Sequence, residues 1–346
     1  MSQVARSDAA PACSVLVANY NGAGMIEECL RSVLDQRCPF AFEVIVHDDA
    51  SQDASAQVVR ERFPEVDLLA SDTNVGFCVA NNRMAERARG EFLLLLNNDA
   101  VLMPGALAAL LAQARAMGVP AVLGLPEYDA ASGELVERGH RLDPFLNPVP
   151  NLDPRRRDVG HVIGACLWLP RALWRELGGF PDWFGSIGED LYLCCQARLR
   201  GHPLQVLPEP GYRHRSGASF GGGKLAGRRM ATTLRRRALT ERNKTFVMAI
   251  CYPGLALAAL LPLHLALLLL EGCVLALIKR DPGLFREVYL GAVTALWRER
   301  RRVAAERSRV QATRTIGTRA FFEPFSPLPH KLTMLLRHGI PRVERR

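Results

Sequence analysis

Short apolar runs alternate with stretches of helical spacing through the first 125 residues. Residues 13–18 (CSVLVA) form a continuous apolar run, the pattern of a strand buried on both faces. They end in the turn signal Asn19-Tyr20-Asn21-Gly22. Ile26, Leu30, Val33 and Leu34 then recur at helical spacing. A second strand is predicted over 42–46, followed by His47-Asp48-Asp49-Ala50-Ser51, with Asp53 placed to cap a helix running to about residue 62. A third strand falls at 66–70, and Asn74-Val75-Gly76-Phe77 precedes a helix over 79–89. Residues 92–96 (FLLLL) predict a fourth strand that stops at Asn97-Asn98-Asp99. Pro104 suits the first turn of the next helix, and 121–125 offers a fifth strand. Strands alternating with helices imply an α/β fold: a doubly wound, mostly parallel sheet with helices on both faces. Ligands bind such sheets beyond the carboxyl ends of the strands, where Asn19, Asp48 and Asp99 stand.

After residue 125 the pattern changes. Residues 126–158 are rich in Pro, Gly, Asp and Arg and read as a long loop with room for a small hairpin. An apolar run returns at 162–169, Leu177-Gly178-Gly179-Phe180 ends a helix in a glycine turn, and Gly188-Glu189-Asp190 opens a helix through residue 200. Gly211, Gly217, Gly221, Gly222 and Gly223 suggest a mobile lid over a phosphate group. They are not a P-loop: Ala218 occupies the place of its first glycine, and Leu225 follows Lys224 where Ser or Thr is required. Residues 1–225 are thus expected to form one domain, 226–245 a basic linker, 246–278 an apolar helical segment and 279–346 a basic tail.

Composition sharpens this picture. With 346 residues, 49% hydrophobic and 23% charged, the chain can bury a sizeable core and is neither disordered nor fibrous. Its net charge of +9 is unevenly placed. Residues 226–346 hold 23 Lys+Arg against 8 Asp+Glu, whereas 1–225 hold 21 against 27, so the C-terminal part suits an anionic surface. The nine cysteines are odd in number and include no CxxC. Cys13, Cys78, Cys166, Cys194, Cys195, Cys251 and Cys273 lie in apolar runs and read as buried free thiols of a reducing compartment. The opening MSQVARSDAAPAC lacks an apolar core of signal-peptide length, so export by that route is not expected.

Four polar clusters carry candidate chemistry, each with a plainer alternative. Asp48, Asp49 and Ser51, at a strand end, suit hydrogen bonding to a base and a ribose, or simply make a strand-to-helix turn. Asn97-Asn98-Asp99 delivers one carboxylate into solvent, where it can hold Mg²⁺ or Mn²⁺ against substrate phosphates, or form another polar turn. Glu189-Asp190 favours a helix N-terminus electrostatically, and is also a place for a general base. His214, in Tyr212-Arg213-His214-Arg215-Ser216-Gly217, is an ordinary histidine or a metal ligand.

The series VLVANYNG, VIVHDDASQDAS, NVGFCVANN, FLLLLNNDA, GEDLYLCCQARLRG and YRHRSG resembles the family 2 glycosyltransferases, which have the GT-A fold, and within them the bacterial rhamnosyltransferase-like enzymes of cell-surface polysaccharide synthesis. The resemblance covers about residues 13–220. It implies that Asn19, Asp48, Asp49 and Ser51 line the nucleotide pocket, that Asn74, Gly76 and Asn82 close on the nucleotide sugar, and that Asn98 lies beside them. It further implies that Asp99 is the last acid of a metal-binding DXD-type motif, completed by His214, and that Asp190 is the catalytic base with Glu189 alongside. Asn97 stands where many relatives have the first Asp, leaving one carboxylate for Mg²⁺ or Mn²⁺. The QxxRW of processive enzymes is absent, since Gln196 is followed by Ala197, Arg198 and Leu199. The expected activity is therefore inverting, one-sugar transfer from a UDP-, dTDP- or GDP-linked sugar to a lipid-linked or saccharide acceptor, at the cytoplasmic face of the bacterial inner membrane.

Other classes fit less well. A sugar nucleotidyltransferase would carry a Gly-rich basic run directly after the first strand, but here no basic residue follows that strand until Arg31. A non-catalytic sugar-binding module would lack the acids. The Arg298, Arg300, Arg301 and Arg302 cluster flanks an apolar segment without interleaved aromatics, which favours anionic membrane lipid over nucleic acid. A straight helix over 246–278 would span about 50 Å, longer than a hydrocarbon core of about 30 Å. Pro253 and Pro262 offer kink points, and both flanks are positive: seven Lys+Arg to one acid over 228–244, nine to four over 279–309. A Pro-broken, re-entrant or interfacial helical hairpin is expected, with a buried soluble helix pair or an oligomer interface as the alternatives.

Overall fold

The computed structural model of the chain describes residues 10–215, 222–226, 229–339 and 342–344. Most of the opening stretch read for an export signal, and residues 216–221 of the expected lid, lie outside them. Two compact units emerge: the first draws on 1–140, 150–186 and 202–216, the second on 141–149, 187–201 and 217–346.

Thirteen strands precede residue 216: β1 (Cys13–Asn19), β2 (Phe42–Asp48), β3 (Asp67–Ala70), β4 (Phe92–Asn97), β5 (Ala100–Leu102), β6 (Val122–Gly124), β7 (Glu127–Asp129), β8 (Leu135–Glu137), β9 (His140–Leu142), β10 (Pro148–Pro150), β11 (Cys166–Pro170), β12 (Leu204–Val206) and β13 (Tyr212–His214). Seven of them make the main sheet of the first unit, in the order β12-β6-β11-β4-β1-β2-β3. Its parallel centre has the expected cause. Helices α1 (Ile26–Leu34), α2 (Ser55–Arg62), α3 (Phe77–Arg87), α4 (Ala106–Met117) and α5 (Arg171–Leu177) belong to a layered α/β arrangement, so runs such as FLLLL carry apolar side chains to both faces rather than alternating. The stripe Ile26, Cys29, Leu30 and Val33 of α1 packs into the same core as Val15, Val17 and Val44, and Trp168 stacks on Phe92 at 5.3 Å between ring centroids. Full burial of one such aliphatic side chain contributes about 1.5–3 kcal/mol.

Two features depart from a simple wound sheet. The fifth predicted strand is β6, but it does not lie beside β4; β11 enters between them, antiparallel to both, pairing Cys166 with Leu96 and Leu167 with Gly124. The stretch 126–158, expected as a long loop with room for a small hairpin, holds four strands of three residues each, β7 to β10, with β7 and β8 paired as a hairpin. The β7–β8 hairpin joins β13 and β5 in a second sheet, ordered β5-β13-β7-β8.

In the second unit, α6 (Glu189–Leu199) is followed by α7 (Leu234–Cys251) and α8 (Gly254–Lys279). Residues 234–245, expected as linker, are instead the start of α7. Thr233 caps it, its hydroxyl accepting from the Arg236 amide at 3.2 Å, and Glu241, Asn243, Lys244 and Thr245 are buried along it. The break in the apolar segment falls at Tyr252-Pro253, where the Arg307 guanidinium donates to the carbonyls of Ala249, Ile250 and Tyr252 at the end of α7. Pro262 does not end α8; it lies exposed within the helix. Cys273, expected to be buried, is exposed on α8, while the other eight cysteines are buried free thiols. Gly222 and Gly223, expected in the lid, belong to a strand, Gly222–Ala226, paired antiparallel with Arg229–Thr233.

Candidate active site

The main sheet reverses its winding at β1, which has β2 on one side and β4 on the other. This is the switch point where an open α/β sheet leaves a crevice at its carboxyl edge. Asn19 and Asp48 are register partners there, and Asn97 follows one step after the Val17–Leu96 pair. The buried Asn19 amide ties three strand ends together. Its Nδ2 donates to Asp48 Oδ1 at 2.8 Å, to Ser55 Oγ at 2.9 Å and to Ser51 Oγ at 3.3 Å, and its Oδ1 accepts from Asn98 Nδ2 at 2.8 Å. Asp48 Oδ2 accepts the Ser51 amide at 3.1 Å. Asp49 does the same for the next loop, its two oxygens accepting the amides of Val75 at 2.6 Å and Gly76 at 2.9 Å, while the Asn74 side chain donates to the Asp49 carbonyl. Five of the predicted nucleotide-sugar residues, Asn19, Asp48, Ser51, Asn98 and Asp49, and the loop of Asn74 and Gly76, are therefore joined through one hydrogen-bonded edge. Each acid keeps a lone pair beyond these bonds.

Local sequence explains the shape of this edge. Asn21 sits at φ 51°, a left-handed position that Asn tolerates, and Gly22 passes over the Asn19–Asn98 bond so closely that a Cβ would lie 2.3 Å from both side chains. Asp53, read as a helix cap, accepts from the Ser55 and Ala23 amides and so fixes the loop before α2 to the turn after β1. Asn82 stands on α3. Its amide brackets the 180–182 segment, donating to the Phe180 carbonyl at 2.8 Å and to Asp182 at 2.7 Å and accepting from the Phe180 amide at 3.0 Å.

Asp99 and His214 are brought together by the second sheet. His214 pairs with Ala100 across β13–β5, and its Nε2 lies 3.1 Å from Asp99 Oδ1. On the other ring nitrogen, Nδ1 lies 2.9 Å from Glu127 Oε1, and Glu127 Oε2 accepts from the Tyr212 hydroxyl at 3.1 Å. Burial disfavours the imidazolium, but hydrogen bonds and charge from Asp99 and Glu127 outweigh it and hold the His214 pKa up at about 9. Sequence reading missed Glu127 because it lies in a stretch read as loop; the legible signal was a carboxylate directly after the apolar run ending at Leu125.

Among the described residues, no group of three or more His, Cys, Asp or Glu side chains is arranged to hold a metal ion. The donor set still suits one bound partly by substrate. Mg²⁺ and Mn²⁺ take one or two carboxylates and complete their shell with phosphate oxygens and water, and Asp99 with His214, once that imidazole has given up its proton, would supply one oxygen and one nitrogen. Glu127 on the far ring nitrogen is the outer carboxylate that typically orients a ligating histidine.

Glu189 and Asp190 belong to the second unit, at the start of α6. The preceding turn is strained: Ile187 sits at φ 69° and Gly188 at φ 88°. Asn243 of α7, wholly buried, holds this turn by donating to the Ile187 carbonyl at 2.7 Å. Burial, and then the neighbouring Asp190 charge, push the Glu189 carboxyl well above the usual range. Asp190 is half-buried, accepts from the Leu191 amide at 2.7 Å and is near the positive charge of Arg236. Asn243 could not be found from sequence, since it lies in the stretch read as linker.

A mixed α/β sheet with acids at the carboxyl ends of its central strands defines the class: the GT-A fold of nucleotide-diphospho-sugar transferases. Three solved structures share it. They are Staphylococcus aureus TarS 1-349 in complex with UDP-GlcNAc (TM-score 0.54, 18% identity, 90% of each chain covered), the mannosyltransferase PcManGT from Pyrobaculum calidifontis in complex with GDP-Man and Mn²⁺ (TM-score 0.51, 21% identity, 86% of this chain and 91% of that one), and GalNAc-T7 with UDP, GalNAc and Mn²⁺ (TM-score 0.55, 17% identity, 70% and 48%). Residues 14–178 match the family described as Glycosyl transferase family 2. Among its relatives, glycosyltransferase AglE of Haloferax volcanii is 27% identical over 198 residues, covering 56% of this chain and 64% of that protein. The N-acetylglucosaminyl-diphospho-decaprenol L-rhamnosyltransferase of Mycobacterium tuberculosis is 27% identical over 237 residues, covering 60% and 77%. The teichuronic acid biosynthesis glycosyltransferase TuaG of Bacillus subtilis, described as putative in its name, is 35% identical over 92 residues, 26% and 36%. The chain thus spans less than two thirds of AglE and little more than a third of TuaG.

Proposed function

We propose that this protein is an inverting glycosyltransferase that moves one sugar from a nucleotide-diphosphate sugar to a hydroxyl of a lipid-linked or saccharide acceptor in bacterial cell-surface polysaccharide synthesis. The observation that carries this reading is the Asn19–Asp48–Asn98 edge at the switch point of β1, with Asp99 facing His214 directly after it in the chain. Its support beyond the site is the match of residues 14–178 to Glycosyl transferase family 2, and the rhamnosyltransferase and TuaG among the relatives.

In this reading the Asp48 edge receives the nucleoside through its remaining lone pairs, and the Asp49-held loop with Asn74 and Gly76 closes on the donor. The nucleotide is UDP, dTDP or GDP. Asp99 and His214 would hold Mg²⁺ or Mn²⁺, which would supply positive charge against the charge developing on the departing diphosphate. Glu127 keeps His214 turned toward Asp99. Asp190 takes the proton from the acceptor hydroxyl, whose oxygen attacks the anomeric carbon on the face opposite the leaving nucleotide. Its neighbour Glu189, whose carboxyl is pushed well above the usual range by burial and by the Asp190 charge, stands alongside it. Such a base contributes roughly 10²- to 10⁴-fold. Transfer is non-processive, consistent with the absent QxxRW, and takes place at the cytoplasmic face of the inner membrane.

The test is a panel of nucleotide sugars scored for acceptor-dependent nucleotide release, with Asp190→Asn alongside. The variant is expected to bind donor as wild type does and to lose transfer by roughly 10²-fold or more. Transfer by Asp190→Asn at close to the wild-type rate overturns the assignment of the base, and no transfer from any donor overturns the function.

A further inference from the structure

Helix α8 inverts the usual arrangement of a surface helix. Between Gly254 and Ile278 its only charged or ring-nitrogen side chains are His264 and Glu271, and both turn toward the protein. His264 Nε2 lies 2.9 Å from Thr245 Oγ1, and Glu271 pairs with Arg237 and with Lys331, the latter at 2.8 Å. Lys331 also pairs with Glu241, which pairs with Lys244 at 2.8 Å. The opposite side is an unbroken apolar stripe: Leu255 (89% exposed), Leu263, Leu267, Leu270 (60%), Val274 and Leu277 (78%). At the C-terminal end of the stripe stand Lys279 and Arg280, both exposed.

We infer that α8 lies in the plane of an anionic lipid surface, sunk to the level of the headgroup–acyl boundary on its outer stripe, and does not cross the bilayer. This rests on the reading that the enzyme works at a membrane face, and states how it is held there. A crossing is disfavoured by the inner stripe. The buried polar cluster behind His264 and the ion pairs on Glu271 back the middle of the helix and its C-terminal half, and a crossing would carry those charges into hydrocarbon. A second copy of the chain is disfavoured by size. A helix of 26 residues offers one side of about 39 Å by 10 Å, roughly 400 Å², against about 800 Å² per partner in a stable interface. A lipid surface needs no such area, since an apolar stripe about 5–10 Å deep beside cationic side chains is what binds an interfacial helix. Lys279 and Arg280, in a C-terminal part of strongly positive charge, complement anionic headgroups.

The test uses the full chain with vesicles of phosphatidylcholine and phosphatidylglycerol, without nucleotide sugar. The wild type is expected to float with the vesicles, and Leu263→Asp/Leu270→Asp to bind at least about tenfold more weakly with an unchanged circular dichroism spectrum. Depth is then read by brominated-lipid quenching of a fluorophore on native Cys273, or on Leu255→Cys or Leu267→Cys in a Cys273→Ser background. Equal shallow depths at the three positions are expected. A fluorophore at 267 buried about 10 Å deeper than those at 255 and 273 shows a crossing and overturns the in-plane arrangement while leaving membrane attachment intact. Failure of the wild type to float, with or without self-association, overturns attachment itself. Neither result bears on transfer, which the donor panel measures separately.

Discussion

At the scale of single residues, what distinguishes this site is how few polar atoms are left to chance. Asp48 and Asp49 are each fixed through both oxygens, and His214 is fixed through both nitrogens. The consequence is sharpest at Glu127. Glu127→Gln keeps the shape but removes the charge that orients His214, so Mn²⁺ affinity, followed by the loss of the free-ion paramagnetic resonance signal, is expected to fall roughly 10- to 100-fold. Its unfolding profile provides a second readout. Folded His214 holds its proton up to about pH 9, against 6.5 for an ordinary histidine. The stabilisation from this proton is thus complete below about pH 6.5 and fades as pH rises through about 9; for a shift of this size it is on the order of 3 kcal/mol. Wild-type thermal stability should therefore decline between those pH values, and Glu127→Gln should show a shallower decline. Equal slopes would show that His214 does not titrate as described.

At the scale of elements, the turn after β1 is the tightest constraint. Gly22→Ala would put a methyl 2.3 Å from the Asn19 and Asn98 side chains, breaking the bond that joins the β1 and β4 ends. The expected cost is about 1–3 kcal/mol of stability together with weaker binding of nucleoside diphosphate, both measurable by thermal shift with and without ligand; an unchanged nucleotide-dependent shift would separate the turn from the pocket. The strands and turns of this region were legible because parallel strands buried on both faces leave uninterrupted apolar runs, as in CSVLVA and FLLLL, and because acids at their ends have no core to serve. The placement of β11 was not legible. A run such as Cys166–Pro170 states that a strand exists, but its direction and its neighbours depend on pairing with β4 and β6, about which local pattern is silent. Glu127 and Asn243 were hidden for the same reason: each matters through a partner far along the chain, His214 in one case and Ile187 in the other. Helix α7 was misread because its charged residues are buried in pairs, so that Glu241 and Lys244 looked like the surface of a linker.

At the scale of the whole molecule, charge and apolar surface are segregated along the chain. The C-terminal 121 residues carry the excess of Lys and Arg, and α8 with its outward leucines lies among them. Attraction to anionic lipid falls with salt, whereas burial of an apolar stripe does not. Washing loaded vesicles with concentrated salt should therefore leave most of the protein attached, as followed by sedimentation; complete release would assign attachment to the basic residues alone. The insertion of β11 also has a consequence for how the chain is made. β4 leaves the ribosome with one edge paired to β1 and the other bare, and β6, the next strand of the sheet, does not close it, because β11 lies between them and β6 pairs with β11 and β12. The chain between Gly124 and Cys166 takes roughly 2–8 s to synthesise at ~5–20 residues per second. For that interval FLLLL presents an open edge with strong pairing tendency and no charge, the kind of segment that invites association between neighbouring nascent chains. The time spent translating 125–165 is thus a window of vulnerability. Slower translation there would be expected to lower soluble yield without altering the finished protein.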